Sequence, residues 1–248
     1  MTKDDYLKVA RRTIRMEFEA IELLEQRIGD AFVRACKLIM DCSGRVVVTG
    51  MGKSGHIGRK IAATFASTGT PAFFVHPGEA SHGDIGMITK NDVVLALSNS
   101  GTTNEVVTLL PQIKRIGVPL ICMTGDPLST LSKAAEAHLD VQVTCEACPL
   151  GLAPTTSTTA TLVMGDALAI ALLEARGFTA EDFAFSHPGG ALGKNLLIKV
   201  DDIMHSGTRL PKVNIHEPLK QALLEMSNKG FGMTTVVNDT GTLFGVFT

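Results

Sequence analysis

Ser98-Asn99-Ser100-Gly101-Thr102-Thr103 sets four hydroxyls and a glycine directly after the apolar run Val93-Val94-Leu95-Ala96-Leu97, with a carboxylate, Glu105, two residues further on. Val106, Leu109, Leu110, Ile113 and Ile116 follow at helical spacing, so the segment reads as strand, turn and helix. Such a turn aims free backbone N–H groups, a helix-dipole positive end and hydroxyls at one point, which suits a phosphate. Glu105 has two readings. It is the N3 carboxylate of a capping box with Thr102 as N-cap, or a general base beside a bound phosphate compound. Spacing by itself favours the cap.

A second turn, Gly50-Met51-Gly52-Lys53-Ser54-Gly55, follows the strand Val46-Val47-Val48. It matches the G-x-G-x-x-G dinucleotide fingerprint. The acidic residue that should close the next strand is missing, because that strand ends in His76-Pro77-Gly78 with Glu79 beyond. A Walker A loop is excluded by Val47 at its first glycine position. Lys53 is then either a solvated turn lysine or a cation facing a ligand, and its place inside the glycine turn favours the ligand. His76 and His82 fall on a loop-like stretch, six residues apart, which is no metal signature. Cys145-Glu146-Ala147-Cys148 is a lone CxxC without a second pair. Glu146 reads first as a surface carboxylate. His187, in Ser186-His187-Pro188-Gly189-Gly190, reads as local packing or as a loop residue positioned for chemistry.

The elements that must position these residues follow from periodicity. Residues 4–27 and 30–42 read as amphipathic helices that pack or contact other subunits. Strands are expected at 45–49, 72–75, 92–97, 118–123 and 139–143, and helices near 54–67, 103–116, 128–137 and 156–176. Gly69 and Gly177 sit at helix C-caps. The fold class is therefore α/β, a doubly wound five-stranded parallel sheet, in which ligands bind at the carboxyl ends of strands. Beyond Gly193 the character changes. A helical start (201–204), a helix (218–229) and strands at 233–237 and 242–247, joined by the turn Asn238-Asp239-Thr240-Gly241, form a small separate unit. The chain stops at or just after its last strand, as a fragment would.

Composition narrows the function. The 248 residues carry a net charge of −2, which gives no footprint for nucleic acid or an anionic membrane. No apolar run approaches the roughly 20 residues of a membrane span, and no signal peptide is evident. One Tyr and no Trp argue against aromatic stacking platforms, and five cysteines fit a reducing compartment.

Taken together, Gly50–Gly58, His76–Asp84, Ser98–Gly101, Ala147–Thr155 and Ser186–Gly193 strongly resemble the sugar isomerase (SIS) domain proteins, in particular their arabinose 5-phosphate isomerase branch. The resemblance spans roughly residues 1–200 and implies a flavodoxin-like SIS domain at 1–198, with its core at about 35–180. The tail, 199–248, resembles the first of two CBS motifs, and the second is absent. The implied activity is aldose–ketose isomerisation of D-arabinose 5-phosphate and D-ribulose 5-phosphate, feeding 3-deoxy-D-manno-octulosonate and lipopolysaccharide synthesis. The implied setting is a cytoplasmic bacterial homotetramer with no required cofactor and no nucleic-acid or membrane partner. Lys53, Glu105, Glu146 and His187 match catalytic positions. Ser54, Gly69, Thr70, His82, Ser98, Asn99, Ser100, Thr102 and Thr103 form the substrate-binding set. His76 matches a position where zinc is inhibitory. Residue types suit an enediol mechanism, with Glu105 as base, His187 for ring opening, Lys53 against developing oxyanion charge and Glu146 orienting Lys53 or His187. The same chemistry in a capsule or sugar-alcohol pathway, or a non-catalytic SIS sugar-phosphate sensor, are the alternatives.

Overall fold

A computed structural model describes residues 1–187 and 199–248. The chain divides into two compact units, Met1–Gly193 and Lys194–Thr248.

Unit one opens with two helices, α1 (Lys3–Glu25) and α2 (Asp30–Met40). Five parallel strands follow: β1 (Val46–Gly50), β2 (Ala72–Val75), β3 (Val93–Leu97), β4 (Leu120–Thr124) and β5 (Ala137–Asp140), ordered β2-β1-β3-β4-β5. The three central strands β1, β3 and β4 are buried along their whole length, which explains their uninterrupted apolar sequences. Their alternate residues feed two cores. Val46, Val48, Leu95, Ile121 and Met123 meet Phe65 of α3 (Gly52–Ser67) and Met164, Leu168 and Leu172 of α8 (Thr156–Arg176). Val47, Val94, Ala96 and Cys122 meet Val106 of α5 (Asn104–Val107), Ile113 of α6 (Leu110–Ile116) and Leu131 of α7 (Thr130–Ala134). The sheet is thus wound on both faces, as the sequence predicts. At 21 residues with mean hydropathy 1.4, α8 is long and apolar enough to cross a membrane, but here it is a packed core helix with Leu168, Ala169 and Leu172 fully buried.

The structure moves several predicted boundaries. The single helix expected over 103–116 is two, because Pro111 has no N–H to offer the Val107 carbonyl. The last strand starts at Ala137, not 139, and α7 stops at Ala134. Glu136 pins the chain to β4 through its own N–H on Leu120 O (2.9 Å) and its carboxylate under Leu120 N–H (2.6 Å), so pairing begins early. The stretch after His76 is a short helix, α4 (Pro77–Ala80), rather than loop. Helix α9 (Ala180–Ser186) escaped the apolar pattern, although Thr179 and Asp182 form a capping box that signals it.

Unit two contains α10 (Val200–Ile203), β6 (Lys212–Asn214), α11 (Leu219–Lys229), β7 (Thr234–Val237) and β8 (Leu243–Phe247). β6 runs parallel to β7, and β7 and β8 form the expected hairpin over Asn238–Gly241. Strand β6 was not anticipated; its three residues are too few to show a period.

Candidate active site

The strand order reverses between β1 and β3: β1 leads to β2 on one side, and β3 leads to β4 on the other. In open α/β sheets this switch point opens a crevice at the carboxyl edge. Both turns singled out from sequence flank it, one after β1 and one after β3.

The β3 turn is rigid. Gly101 has φ +63°, and a Cβ there would lie 2.0 Å from Ser129 Oγ, so only glycine fits. Gly101 O accepts from Leu131 N–H (3.0 Å), and Asn99 O accepts from Gly125 N–H (2.8 Å). Ser98 Oγ accepts from Gly101 N–H (3.1 Å) and pairs with Thr103 Oγ1 (2.8 Å). These bonds divide the predicted phosphate ligands. Ser98 is buried at 3 % exposure and braces the turn with Thr103, so these two hydroxyls are already engaged within the turn. Asn99, Ser100 and Thr102 are exposed, and Ser100 Oγ receives Thr102 N–H (3.3 Å) and Oγ1–H (3.2 Å).

The capping box expected at Thr102 and Glu105 is not formed. The Ser98–Thr103 pair shifts the helix start, making Thr103 the N-cap, without a side-chain cap bond, and putting Glu105 at N2. Glu105 is half-buried, and among the described residues no donor reaches its carboxylate. A carboxylate that caps nothing is available as a base.

Across the switch point, α3 starts at Gly52 after Met51, with Lys53 at N2 and Ser54 at N3. Lys53 is exposed, Ser54 half-buried. A Cβ on Gly55 would sit 2.6 Å from Gly50 O, so that glycine lets α3 start flush against β1. A lysine at the positive end of a helix opposes the dipole. A bound anion there would offset that cost.

Glu146 lies in the segment between β5 and α8. Its Oε2 accepts Thr155 N–H (2.8 Å), Thr155 Oγ1–H (3.0 Å) and Ser157 N–H (3.3 Å), and Oε1 accepts Ser157 Oγ–H. Burial works against its ionisation, but the donors from Ser157 and Thr155 outweigh it and hold the carboxyl below the usual glutamate range. Glu146 thus caps α8 from nine residues upstream. The expectation that it orients Lys53 or His187 is corrected: its oxygens are committed to Thr155 and Ser157. Sequence reasoning missed these two partners, whose signal is the hydroxyl run Thr155-Thr156-Ser157 opening a long helix.

His76 caps α4, its Nδ1 accepting from Gly78 N–H (3.2 Å), which leaves Nε2 free. His82 is exposed just beyond α4. Among the described residues no three His, Cys, Asp or Glu side chains gather as a metal site. With Nδ1 accepting, the neutral ring carries its proton on Nε2, so His76 would bring one ligand only by giving up its cap, and not a cage.

Three predicted residues stand apart. Gly69 and Thr70 precede β2 and so lie at the amino edge of the sheet, opposite the crevice. Thr70 is buried, and its Oγ1 accepts from Arg176 Nε–H (3.2 Å) at the end of α8. A Cβ on Gly69 would strike Phe178, at 2.4 Å, just before α9. His187 ends α9, its ring stacked on Phe183 (4.0 Å) and its Nδ1 bonded to Phe183 O (3.0 Å). Residues 188–193 of its loop lie outside the described residues.

The SIS domain family model matches residues 39–171. Arabinose 5-phosphate isomerase KdsD of Pseudomonas aeruginosa is 67 % identical over 98 % of this chain and 75 % of its own length, and the Escherichia coli K12 enzyme of that name is 59 % identical over 98 % and 74 %. An E. coli CFT073 protein solved in complex with arabinose 5-phosphate superposes with a TM-score of 0.74 at 45 % identity, covering 76 % of this chain and all of that one. With the switch point and its two turns in place, these matches show that the chain belongs to the SIS domain family.

Proposed function

We propose that the chain is an arabinose 5-phosphate isomerase, converting D-arabinose 5-phosphate to D-ribulose 5-phosphate through an enediol and supplying 3-deoxy-D-manno-octulosonate for lipopolysaccharide. The observation that carries this is Glu105: a half-buried carboxylate with no donor on it among the described residues, at the turn after β3, with Lys53 at the turn after β1 on the other side of the switch point. The identity to arabinose 5-phosphate isomerases over nearly the whole chain supports the substrate.

Asn99, Ser100, Thr102 and the N–H groups of the turn hold the phosphate, which fixes the reacting carbons and lowers the entropic cost of reaction. Glu105 takes the proton from C2 of the open-chain aldose and returns it to C1. Lys53 opposes the charge that develops on the enediolate oxygens. His82 and Ser54 contact the sugar hydroxyls. Glu146 acts through α8, holding the segment beside the crevice.

His187 opens the sugar ring from a neighbouring copy in a homotetramer. The support is its separation. Its described contacts are with Phe183 of its own helix and with no residue of the Glu105 turn, so a second copy supplies it to complete the site. Mixing Glu105→Gln with His187→Ala subunits then restores activity to two inactive proteins. No restoration would place both residues in one subunit.

The reaction needs no organic cofactor and no metal, and zinc inhibits through His76. The enzyme works in the cytoplasm. The deciding experiment is incubation with arabinose 5-phosphate, without nucleotide and with a chelator, followed by assay of the ketose. Formation of ribulose 5-phosphate is expected. Activity lost on chelation and restored by zinc would overturn the metal-free mechanism, and no ketose under any metal condition would overturn the isomerase.

A further inference from the structure

The turn after β3 leans on the loop after β4, and that loop is tied in its own right to a side chain of β5. Ser98 N–H donates to Met123 O (3.1 Å), Gly125 N–H to Asn99 O (2.8 Å) and Leu131 N–H to Gly101 O (3.0 Å). A Cβ on Gly125 would lie 2.9 Å from Asn99 Oδ1. One on Gly101 would lie 2.0 Å from Ser129 Oγ and 3.3 Å from the Thr124 methyl. Contacts this close leave the loop and the turn little room to move independently.

Thr124 is the hub of the loop, fully buried at the carboxyl end of β4. Its hydroxyl donates to Asp126 O (2.9 Å) and accepts from Asp126 N–H (3.2 Å). Asp126 O also accepts Ser129 N–H (3.2 Å), which extends the tie to the serine pressed on Gly101. The remaining partner is His138 of β5, whose Nε2 stands 2.9 Å from Thr124 Oγ1 and 3.3 Å from Thr124 O. A carbonyl only accepts, and the single hydroxyl proton is committed to Asp126 O. Nε2 therefore carries the ring proton and donates to both oxygens. Cys122 lies opposite His138 in the ladder and Thr124 opposite Asp140, so His138 and Thr124 share one face of the sheet, a diagonal step apart.

We propose that His138 is a positioning residue for phosphate binding: from β5 it fixes Thr124, and through Gly125 and Ser129 it fixes the turn from Asn99 to Gly101. The proposal rests on the reading above that this turn holds the phosphate of the substrate. His138 acts through Thr124 and does not contact the substrate. Without its N–H, the Thr124 hydroxyl is left with Asp126 alone, and the loop loses its tie to the side chain on β5. The ladder bond from Val141 N–H to Thr124 O (3.0 Å) survives, so the sheet holds while the loop loosens. Phosphate affinity then falls, and the sheet and the base at Glu105 are untouched.

The test compares His138→Asn with His138→Gln in the full chain. Gln places an amide N–H where Nε2 stands, and Asn is one carbon too short to reach Thr124. The readouts are the dissociation constants of inorganic phosphate and of arabinose 5-phosphate by calorimetry, with KM, kcat and melting temperature beside them. His138→Asn should raise KM and both dissociation constants about tenfold, with kcat within about twofold of the parent. His138→Gln should stay within about threefold of the parent throughout. Gly125→Ala, which pushes on Asn99 with His138 intact, should show the same split as His138→Asn, and it judges the loop if the Asn variant does not fold. A lower melting temperature with unchanged affinities in His138→Asn would overturn the proposal, as would unchanged affinities in Gly125→Ala or a loss confined to kcat. A parent chain that binds inorganic phosphate yet makes no ketose would overturn the isomerase reading, and the phosphate constants would still judge His138.

Discussion

Glu105 and Glu146 are both half-buried glutamates, and each stands beside the first turn of a helix that starts at the carboxyl edge of the sheet. Their surroundings are opposite. Glu146 accepts from two backbone N–H groups and two hydroxyls, and its carboxyl is held below the usual range. Glu105 accepts from no described residue. A carboxylate satisfied by four donors is a poor base, because protonating it breaks the bonds that hold it; Glu105 has no such bonds to lose. Two residues of one type at equivalent places in the fold thus differ in their bonding: Glu146 is fixed to the start of α8, and Glu105 is left for the base role proposed above.

The strongest way to break this division is Glu105→Gln. The variant should fold with an unchanged melting temperature and bind substrate, yet lose about 10²–10⁴-fold in kcat, with exchange of the C2 proton into deuterated solvent falling in parallel. Near-normal turnover and exchange would show that Glu105 is not the base.

Next in size is the double change Ser100→Ala, Thr102→Ala. At about 1 kcal/mol per hydrogen bond, and more to a charged acceptor, it should weaken substrate binding by about 2 kcal/mol, a roughly thirtyfold rise in KM. Ser98→Ala should instead lower stability, since Ser98 braces the turn from inside. A KM unmoved by the double change would remove the phosphate from this turn.

Glu146→Gln sharpens the other half of the comparison. One amide oxygen replaces two carboxylate oxygens and the charge is gone, so stability should fall by about 1–2 kcal/mol. The kcat loss should be smaller than that of Glu105→Gln. A large kcat loss at an unchanged melting temperature would make Glu146 a reacting group after all.

The smallest effect is in acid. The folded-state pKa of Glu146 is depressed, so its contribution to stability is complete above the ordinary glutamate value of 4.5 and is lost as pH falls through the lower folded value. A stability profile of Glu146→Gln should be flatter than that of the parent below about pH 4.5. Parallel profiles would mean that the carboxylate's bonds are absent in solution.

The amino-acid sequence by itself determined the alternation of strands and helices and the two turns, after β1 and after β3, that flank the switch point of the sheet. Those features are local: a buried strand writes an apolar run, a turn needs glycine and hydroxyls, and parallel strands in a doubly wound sheet bring successive turns to one edge. The tertiary structure alone decided which hydroxyls face outward and which carboxylate is free. The Thr102–Glu105 spacing reads as a capping box, but Gly101 pressed against Ser129 and the Ser98–Thr103 pair move the helix start by one residue and release Glu105. Likewise nothing near Glu146 in sequence announces that Thr155 and Ser157 will fold back on it, or that Thr70 will meet Arg176, 106 residues away. Hydrogen bonds between residues distant in the chain have no period to read, and they settle which of two chemically identical side chains is tied down.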